Sequence, residues 1–444
     1  MAATSEITAA RVLTAAPRRR AVTRAGARLG AGALAGLVVA SLLFALSAAG
    51  TPSFFVPASL HEYPVWLAGP LSTLALDWGT LVPIVLLAAI FVCWAALLRL
   101  GEAVPARWAI GSIVALHVLF LLGPVLLSTD LFGYLAFARL DAVHDLSPYT
   151  HAVQEIPNDP VNPFLSSVWP MSLSTPYGPL FVLSTSGLSA LGIPAAVWSL
   201  KLITVAAALA TVALVAGCAR LLGRPALPAS VFVGLNPLWL VWAVAGAHND
   251  LLMAMLMMVG AYLVIAGREA LGSAAIVVAS VGIKATAGLM LPFVFLASGR
   301  RLAVVAGALI GGVAIAALAL AAMGQDVFGY LPALAAQADH MSSQSVPQAT
   351  GHLLGLDGIT PGIRLGAGIA FVLVALAMLA RSWRTASWVE PAGWTMIALL
   401  LTSSSLHPWY IVGLAPLAAI GDSRPLRVAT IAMTVLLAVI KLTP

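Results

Sequence analysis

The chain has 444 residues, of which 61% are hydrophobic and 9% charged, and its formal charge is +6. Soluble globular domains carry about 25% charged residues, so this composition, with a mean hydropathy of +1.02, excludes a fold whose main solvent is water. In a soluble protein the basic balance would suggest nucleic acid; here Arg and Lys flank apolar runs, so their placement speaks to orientation in a bilayer and no nucleic-acid partner is expected.

Residues 1–28 carry Arg11, Arg18, Arg19, Arg20, Arg24 and Arg28 and read as a basic cytoplasmic tail. The run at 29–49 exceeds the roughly 7 to 15 residues of a signal-peptide core and is followed by more apolar segments, which makes it the first membrane helix. Crossing a hydrocarbon layer of about 30 Å takes roughly 20 helical residues. On that measure spans fall at 29–49, 80–98, 108–127, 196–218, 228–245, 251–267, 302–322, 364–380, 388–404 and 427–443. Shorter runs at 270–283 and 286–299 form a pair broken at Lys284, and another lies at 408–421. The expected architecture is all-α: a single polytopic bundle over residues 29–444, with about thirteen crossings and outer loops at 128–179 and 323–363. The run at 178–191 is left uncrossed, as a re-entrant or interfacial segment, because counting it would invert the charge pattern downstream.

With the N-terminus inside, 17 of the 22 Lys and Arg residues fall in cytoplasmic segments, as the positive-inside rule requires. Arg139, Lys201, Lys284, Arg364 and Lys441 are the exceptions. Eleven of 16 acids and seven of eight His fall outside, which concentrates proton-exchanging groups on that face.

The first outer loop opens on Asp130, at an expected N-cap position where an amphipathic interfacial helix begins. A carboxylate at the membrane boundary beside Phe132, Tyr134 and Phe137 is expected to be partly desolvated and therefore more basic. Its bland reading is a cap and nothing more. Farther on, Ser147-Pro148-Tyr149 and Thr175-Pro176-Tyr177-Gly178-Pro179 set rigid backbone beside flat rings suited to stacking on a sugar or anchoring at headgroups; Trp169 reads as an anchor. The short turn at 246–250 packs His248, Asn249 and Asp250 against hydrocarbon, where ionisable groups are costly and usually functional. No third ligand stands near His248 and Asp250, so no metal site is assigned and the need for a divalent ion stays open. Lys284 and Arg364 lie near the outer interface, where each can snorkel or pair with a lipid phosphate. In the second outer loop, Asp326-Val327-Phe328-Gly329-Tyr330 echoes Asp130-Leu131-Phe132-Gly133-Tyr134 without alignable flanks, so the echo reads as coincidence or a shared interfacial preference rather than a duplicated domain. The turn at 403–410, with His407, Trp409 and Tyr410, is built like the one at 246–250.

STDLFGYLAFARL from Ser128, SPYTH from Ser147, TPYGPL from Thr175, AHNDLLM from Ala247 and SLHPWY from Ser405 together resemble the GT-C class of membrane glycosyltransferases. Specifically, they look like the actinobacterial polyprenol-phosphate-mannose-dependent alpha-1,6-mannosyltransferases of the MptA/MptB type. That resemblance implies an inverting transfer of mannose from beta-linked polyprenyl-phosphate mannose to a growing alpha-1,6-mannan on a lipid anchor, outside the plasma membrane. It implies Asp130 as catalytic base and Lys284 or Arg364 on the donor phosphate. His248, Asn249, Asp250, His407, Trp409 and Tyr410 would shape the sugar pocket, with Tyr134, Tyr149 and Tyr177 on the acceptor side. The departure from the class is the hairpin over residues 29–98 that precedes the Asp130 loop. A lipid-linked donor also fits the lack of any GxGxxG or P-loop after a strand. The open alternatives are a flippase for a polyprenyl-linked sugar, for which matched halves with broken helices would be expected, and an enzyme using another polyprenyl-phosphate sugar.

Overall fold

The computed structural model describes residues 23–50, 54–61, 64–100, 103–166, 169–339 and 344–442; Arg11, Arg18, Arg19 and Arg20 of the expected tail, with Glu62 and His340, lie outside them. Among the described residues every regular element is helical. Six stretches are long and apolar enough to cross a bilayer: Arg24–Ala48, Leu81–Leu100, Ile193–Leu221, Arg301–Gln337, Pro361–Thr385 and Arg424–Leu442. A seventh arises if Ala226–Gly234 and Leu238–Val244, bent by 49°, count as one span. On length and composition, then, six or seven spans are supported where sequence led us to expect about thirteen.

The remaining apolar runs are helical but short, Ala106–Leu122, Pro179–Ser189, Asp250–Ile265, Glu269–Gly282, Ala285–Ala297, Val389–Thr402 and Pro408–Ile420. They are short because polar residues and proline interrupt them. At Asn236-Pro237 the asparagine Oδ1 accepts the N–H groups of Leu238 at 2.9 Å and Trp239 at 3.2 Å, ending one helix and starting the π-helical turn Leu238–Val244. Such turns recur near functional sites, and this one leads into the turn at 246–250.

Helices meet through small residues, as bilayer packing favours. A Cβ added at Gly307 would lie 1.9 Å from the Ala270 carbonyl oxygen, and one at Gly311 2.8 Å from that of Ala274, so Arg301–Met323 and Glu269–Gly282 touch backbone to backbone. Some polar groups inside the bundle are matched, while Trp94 Nε1, Trp242 Nε1 and Ser186 Oγ are not. Trp239 Nε1 donates to His117 Nε2 at 3.1 Å while His117 Nδ1 donates to the Ile113 carbonyl at 2.8 Å. Lys201 is buried, donates to the Gly123 carbonyl and lies over the Trp198 ring.

The helix Asp130–His144 is not the interfacial amphipath expected from its sequence. Leu131 through Leu140 are buried on every side, and only the last turn emerges. The cause is the loop after it, which folds back over the face that would otherwise meet headgroups and is fastened by one carboxylate. Asp159, with its side chain fully buried, accepts Arg139 Nε at 2.8 and 3.0 Å, His144 Nε2 at 2.7 Å and the Val161 N–H at 2.9 Å. Burial alone would raise that carboxyl; the bonds from Arg139, His144 and Val161 outweigh it and hold it below the ordinary range. Asp159→Asn keeps the shape but removes the charge, and is expected to cost about 2 kcal/mol. Faster proteolysis within residues 145–177, with the transmembrane helices still folded, is the readout; unchanged cleavage would contradict it.

The 323–363 segment docks on the 128–179 segment, with the Tyr330 and Tyr149 rings edge to face at 5.8 Å. Its Gly324–Gly329 stretch is a 3-10 turn where Asp130–Tyr134 is α-helix, so the shared letters mark no shared structure.

Candidate active site

Thr129, with φ −100° and ψ 9°, is the N-cap of the Asp130–His144 helix, and Asp130 is its first helical residue. The capping reading is thereby corrected: the Asp130 N–H is met by Ser128 Oγ at 3.1 Å, and the carboxylate is not spent on the helix end. Instead it stands, 20% exposed, in the wall of a cavity of about 420 Å³. Trp169, Tyr177, Lys284, His407, Trp409, Tyr410 and Lys441 share that wall.

Beneath Asp130 the turn at 246–250 supplies a buried floor. Ala247 takes a left-handed φ of 52°, and the His248 N–H reaches back to the Ala243 carbonyl at 3.0 Å. His248 Nδ1 then lies 3.4 Å from Asp130 Oδ2 and 3.4 Å from the Tyr134 hydroxyl, which donates to Asn249 Oδ1 at 3.3 Å. The His248 ring stacks on Trp409 at 3.8 Å, and Trp409 on His407 at 4.6 Å, a column of three nearly parallel rings. Its outer member is fixed by Ser405 Oγ, 2.9 Å from His407 Nε2.

Burial alone would raise the Asp130 carboxyl. The hydrogen bond and charge of His248, the charge of His407 and the Ser128 hydroxyl outweigh it and hold the group at about 2. The enhanced basicity expected from sequence is therefore reversed: the partners that hold Asp130 in place also stabilise its anion. Burial pushes His407 down to about 3, opposed by Asp130 and reinforced by Lys441 and Lys284. A depressed carboxyl stays ionised above its ordinary 3.8 and is lost only as pH falls toward 2, and His407 stays neutral above its own value. Neither group changes charge between about pH 5 and 8, so the turnover rate is expected to carry no limb from either one there. A limb near pH 6 that disappears in His407→Gln would contradict this.

A second cavity of about 410 Å³ adjoins the first, sharing Pro176, Tyr177, Lys284, Gln337 and Tyr410, and continues among Met253, Met396, Leu399 and Leu400. The first is lined largely by polar and aromatic side chains; the second sets that apolar patch beside Asp250, Thr286, Ser403, Ser404 and Ser405. Lys284 stands where they join, in extended backbone between Glu269–Gly282 and the 3-10 turn Ala285–Met290. Its Nζ donates to both Asp250 oxygens at 2.8 Å and lies 4.7 Å from the Tyr410 ring centre. Gly178 seats the TPYGP segment on this break: its N–H meets the Ile283 carbonyl at 2.9 Å, and a Cβ there would lie 2.2 Å from the Val281 oxygen.

Of the residues picked from sequence, Asp130, Lys284, Tyr177, His407, Trp409 and Tyr410 line the polar chamber. Asp250 lines the second chamber, bonded to Lys284. His248, Asn249 and Tyr134 are buried behind Asp130, outside the lining. Tyr149 fastens the wall from outside through its hydroxyl, which donates to the Tyr177 carbonyl at 2.9 Å. Arg364 joins neither chamber; it lies with Ile359, Leu365 and Gly368 along a separate groove of Pro361–Thr385. Trp169, taken for a headgroup anchor, packs over Gly133, where a Cβ would come 2.0 Å from its ring. Lys441 was missed; its only signal in sequence was a cation left over from the inside count, near the end of the last apolar run.

Buried Trp169 Nε1, His248 Nε2, Asn249 Nδ2 and His407 Nδ1 have no hydrogen-bond partner among the described residues. Trp169 and His407 line the cavity, so their unmet atoms suit a ligand rich in hydroxyls; other unmet atoms, Trp94 Nε1 and Trp242 Nε1 among them, lie elsewhere in the bundle. Among the described residues no group of three or more His, Cys, Asp or Glu is arranged to hold a metal ion.

Residues 33–300 match the family described as alpha-(1→6)-mannopyranosyltransferase, N-terminal domain, and residues 345–444 match the MptB C-terminal domain. The chain is 30% identical over 341 residues to alpha-(1→6)-mannopyranosyltransferase A of Mycobacterium tuberculosis, an alignment covering 70% of this chain. It spans 64% of that relative's length. No solved structure matches.

Proposed function

The chain belongs to the alpha-(1→6)-mannopyranosyltransferase family, and from that premise we propose that it transfers mannose from a polyprenyl-phosphate donor to a lipid-anchored alpha-1,6-mannoside. The observation that carries the proposal is the order of groups along the two joined chambers: the Met253, Met396, Leu399 and Leu400 patch of one, then Lys284, then the wall of the other that holds Asp130. A prenyl-phosphate sugar has the same order, hydrocarbon, anion, polyol.

In this reading Asp130 removes the proton of the acceptor hydroxyl as its oxygen bonds to the sugar C1. A weakly basic carboxylate serves, because that proton becomes strongly acidic only as the bond forms, and such a base contributes roughly 10²- to 10⁴-fold. Displacement from a beta-linked donor in one step gives the alpha anomer, so one base suffices. The unmatched ring nitrogens of Trp169 and His407 and the faces of Trp409 and Tyr410 favour sugar binding, with Tyr177 toward the acceptor. Lys284, anchored by Asp250, keeps N–H capacity for a phosphate oxygen. His248 and Tyr134 hold Asp130 from behind.

We further propose about thirteen crossings of the plasma membrane, the N-terminus in the cytoplasm and both chambers at the outer face. The charge asymmetry of the sequence supports that orientation. Membranes containing the protein, given labelled prenyl-phosphate mannose and a short alpha-1,6-mannoside, are expected to yield the mannoside lengthened by one residue. Label consumed only as nucleotide-linked mannose would contradict the donor, and label crossing the bilayer without a new bond would make the protein a flippase.

A further inference from the structure

The polar chamber holds two lysines, and they differ in what already holds them. Lys284 gives bonds of 2.8 Å to both oxygens of an Asp250 side chain that is 3% exposed, so its charge is largely matched before any ligand arrives. Lys441, half-buried in the last turn of Arg424–Leu442, lines the same chamber as Asp130, His407 and Trp409 and forms no ion pair with a described carboxylate. Its charge is felt at His407, which places the amine within the chamber's own field.

We propose that Lys441 is a catalytic residue that receives the charge developing on the leaving phosphate, an inference that rests on the transfer reaction proposed above. In that reaction the bond between the sugar C1 and the phosphate oxygen breaks and its electron pair stays with phosphate. The acceptor oxygen bonds to C1, and its proton passes to Asp130. A phosphodiester with one negative charge becomes a phosphomonoester with two, while Asp130 goes from anion to neutral acid. Negative charge thus leaves Asp130 and appears on phosphate within one cavity, and Lys441 faces that cavity uncommitted. Such a cation loses its attraction for Asp130 as the proton arrives there and gains attraction for the phosphate, so it favours the transfer by as much as it lies nearer the phosphate than the carboxyl. Lys284, tied to Asp250, serves better to orient the phosphate than to neutralise its second charge.

The test uses the full chain purified in detergent as wild type, Lys441→Met and Lys441→Arg. It measures kcat and KM for prenyl-phosphate mannose and the inhibition constant of the product prenyl phosphate. For Lys441→Met, kcat is expected to fall about 10²- to 10³-fold, with KM for the singly charged donor changed only a few-fold. Inhibition by the doubly charged product should weaken about tenfold or more, and Lys441→Arg should restore most of both. Prenyl phosphate is also expected to protect the wild type against thermal unfolding, and Lys441→Met much less. A merely structural lysine would raise KM and the inhibition constant alike and gain nothing from arginine; that pattern overturns the proposal, as does Lys441→Met turning over like wild type. If the wild type makes no mannoside at all, the transfer reading itself fails; if it does and Lys441→Met keeps pace, only the role of Lys441 fails.

Discussion

Asp130→Asn is expected to lower mannosyl transfer by roughly 10²- to 10⁴-fold without loss of the folded protein. Asparagine is the same size and can accept the Ser128 and His248 contacts, but it cannot hold the acceptor's proton. The carboxylate lies in a cavity wall at 20% exposure, so removing its charge creates no large internal void. His248, 3.4 Å away, would lose an anionic partner and keep its stack on Trp409 at 3.8 Å. The measurement is turnover of purified variant and parent at equal concentration, with KM for the donor determined alongside. A fall in kcat at near-constant KM supports the base. Retained turnover would move the role to another carboxylate, with Asp250 the nearest alternative because it lines the adjoining chamber.

The second large effect concerns folding as well as chemistry. Lys284→Met is expected to destabilise the protein by about 3 to 5 kcal/mol, the usual cost of leaving a buried partner charge unpaired. Asp250, at 3% side-chain exposure, has little solvent contact to replace the ammonium. The pair also ties the end of the Glu269–Gly282 helix to the start of Asp250–Ile265, so its loss should loosen the seat of Gly178 and the TPYGP segment. Lys284→Met combined with Asp250→Asn removes both charges and should recover much of the thermal stability. Activity should not return with it, because the phosphate position has lost its cation. Recovery of both would show the pair to be structural alone, and stability equal to wild type in the single variant would contradict the buried-pair reading.

The helical class could be read from sequence because apolar runs are a property of local composition. Asp130, Lys284, Tyr177 and the His407-Pro408-Trp409-Tyr410 turn could be found because polar and aromatic residues at the end of an apolar run carry their own signal. What local composition could not show was depth. Whether His248 lines a cavity or supports one depends on the path of the π-helical turn before it, which rests on the Asn236 side chain. The Asp130–His144 helix looked interfacial because the segment that covers it is polar in sequence; the carboxylate that fastens that cover, Asp159, sits 20 residues from Arg139. The expected rise in Asp130 basicity failed for a related reason, since its opposing partners come from positions 248 and 407. Arg364 and Lys441 looked alike as cations at the outer edge, and only the fold separates a residue on an outer groove from one in the chamber.

The most direct measurement is the stereochemistry and stoichiometry of a single turnover by the purified protein in lipid vesicles, given beta-linked prenyl-phosphate mannose and a short alpha-1,6-mannoside. One base acting in one displacement requires a new alpha-(1→6) bond and an equal amount of prenyl phosphate, both formed by the parent and neither by Asp130→Asn. A beta-linked product, or prenyl phosphate released with no glycosidic bond made, would contradict it.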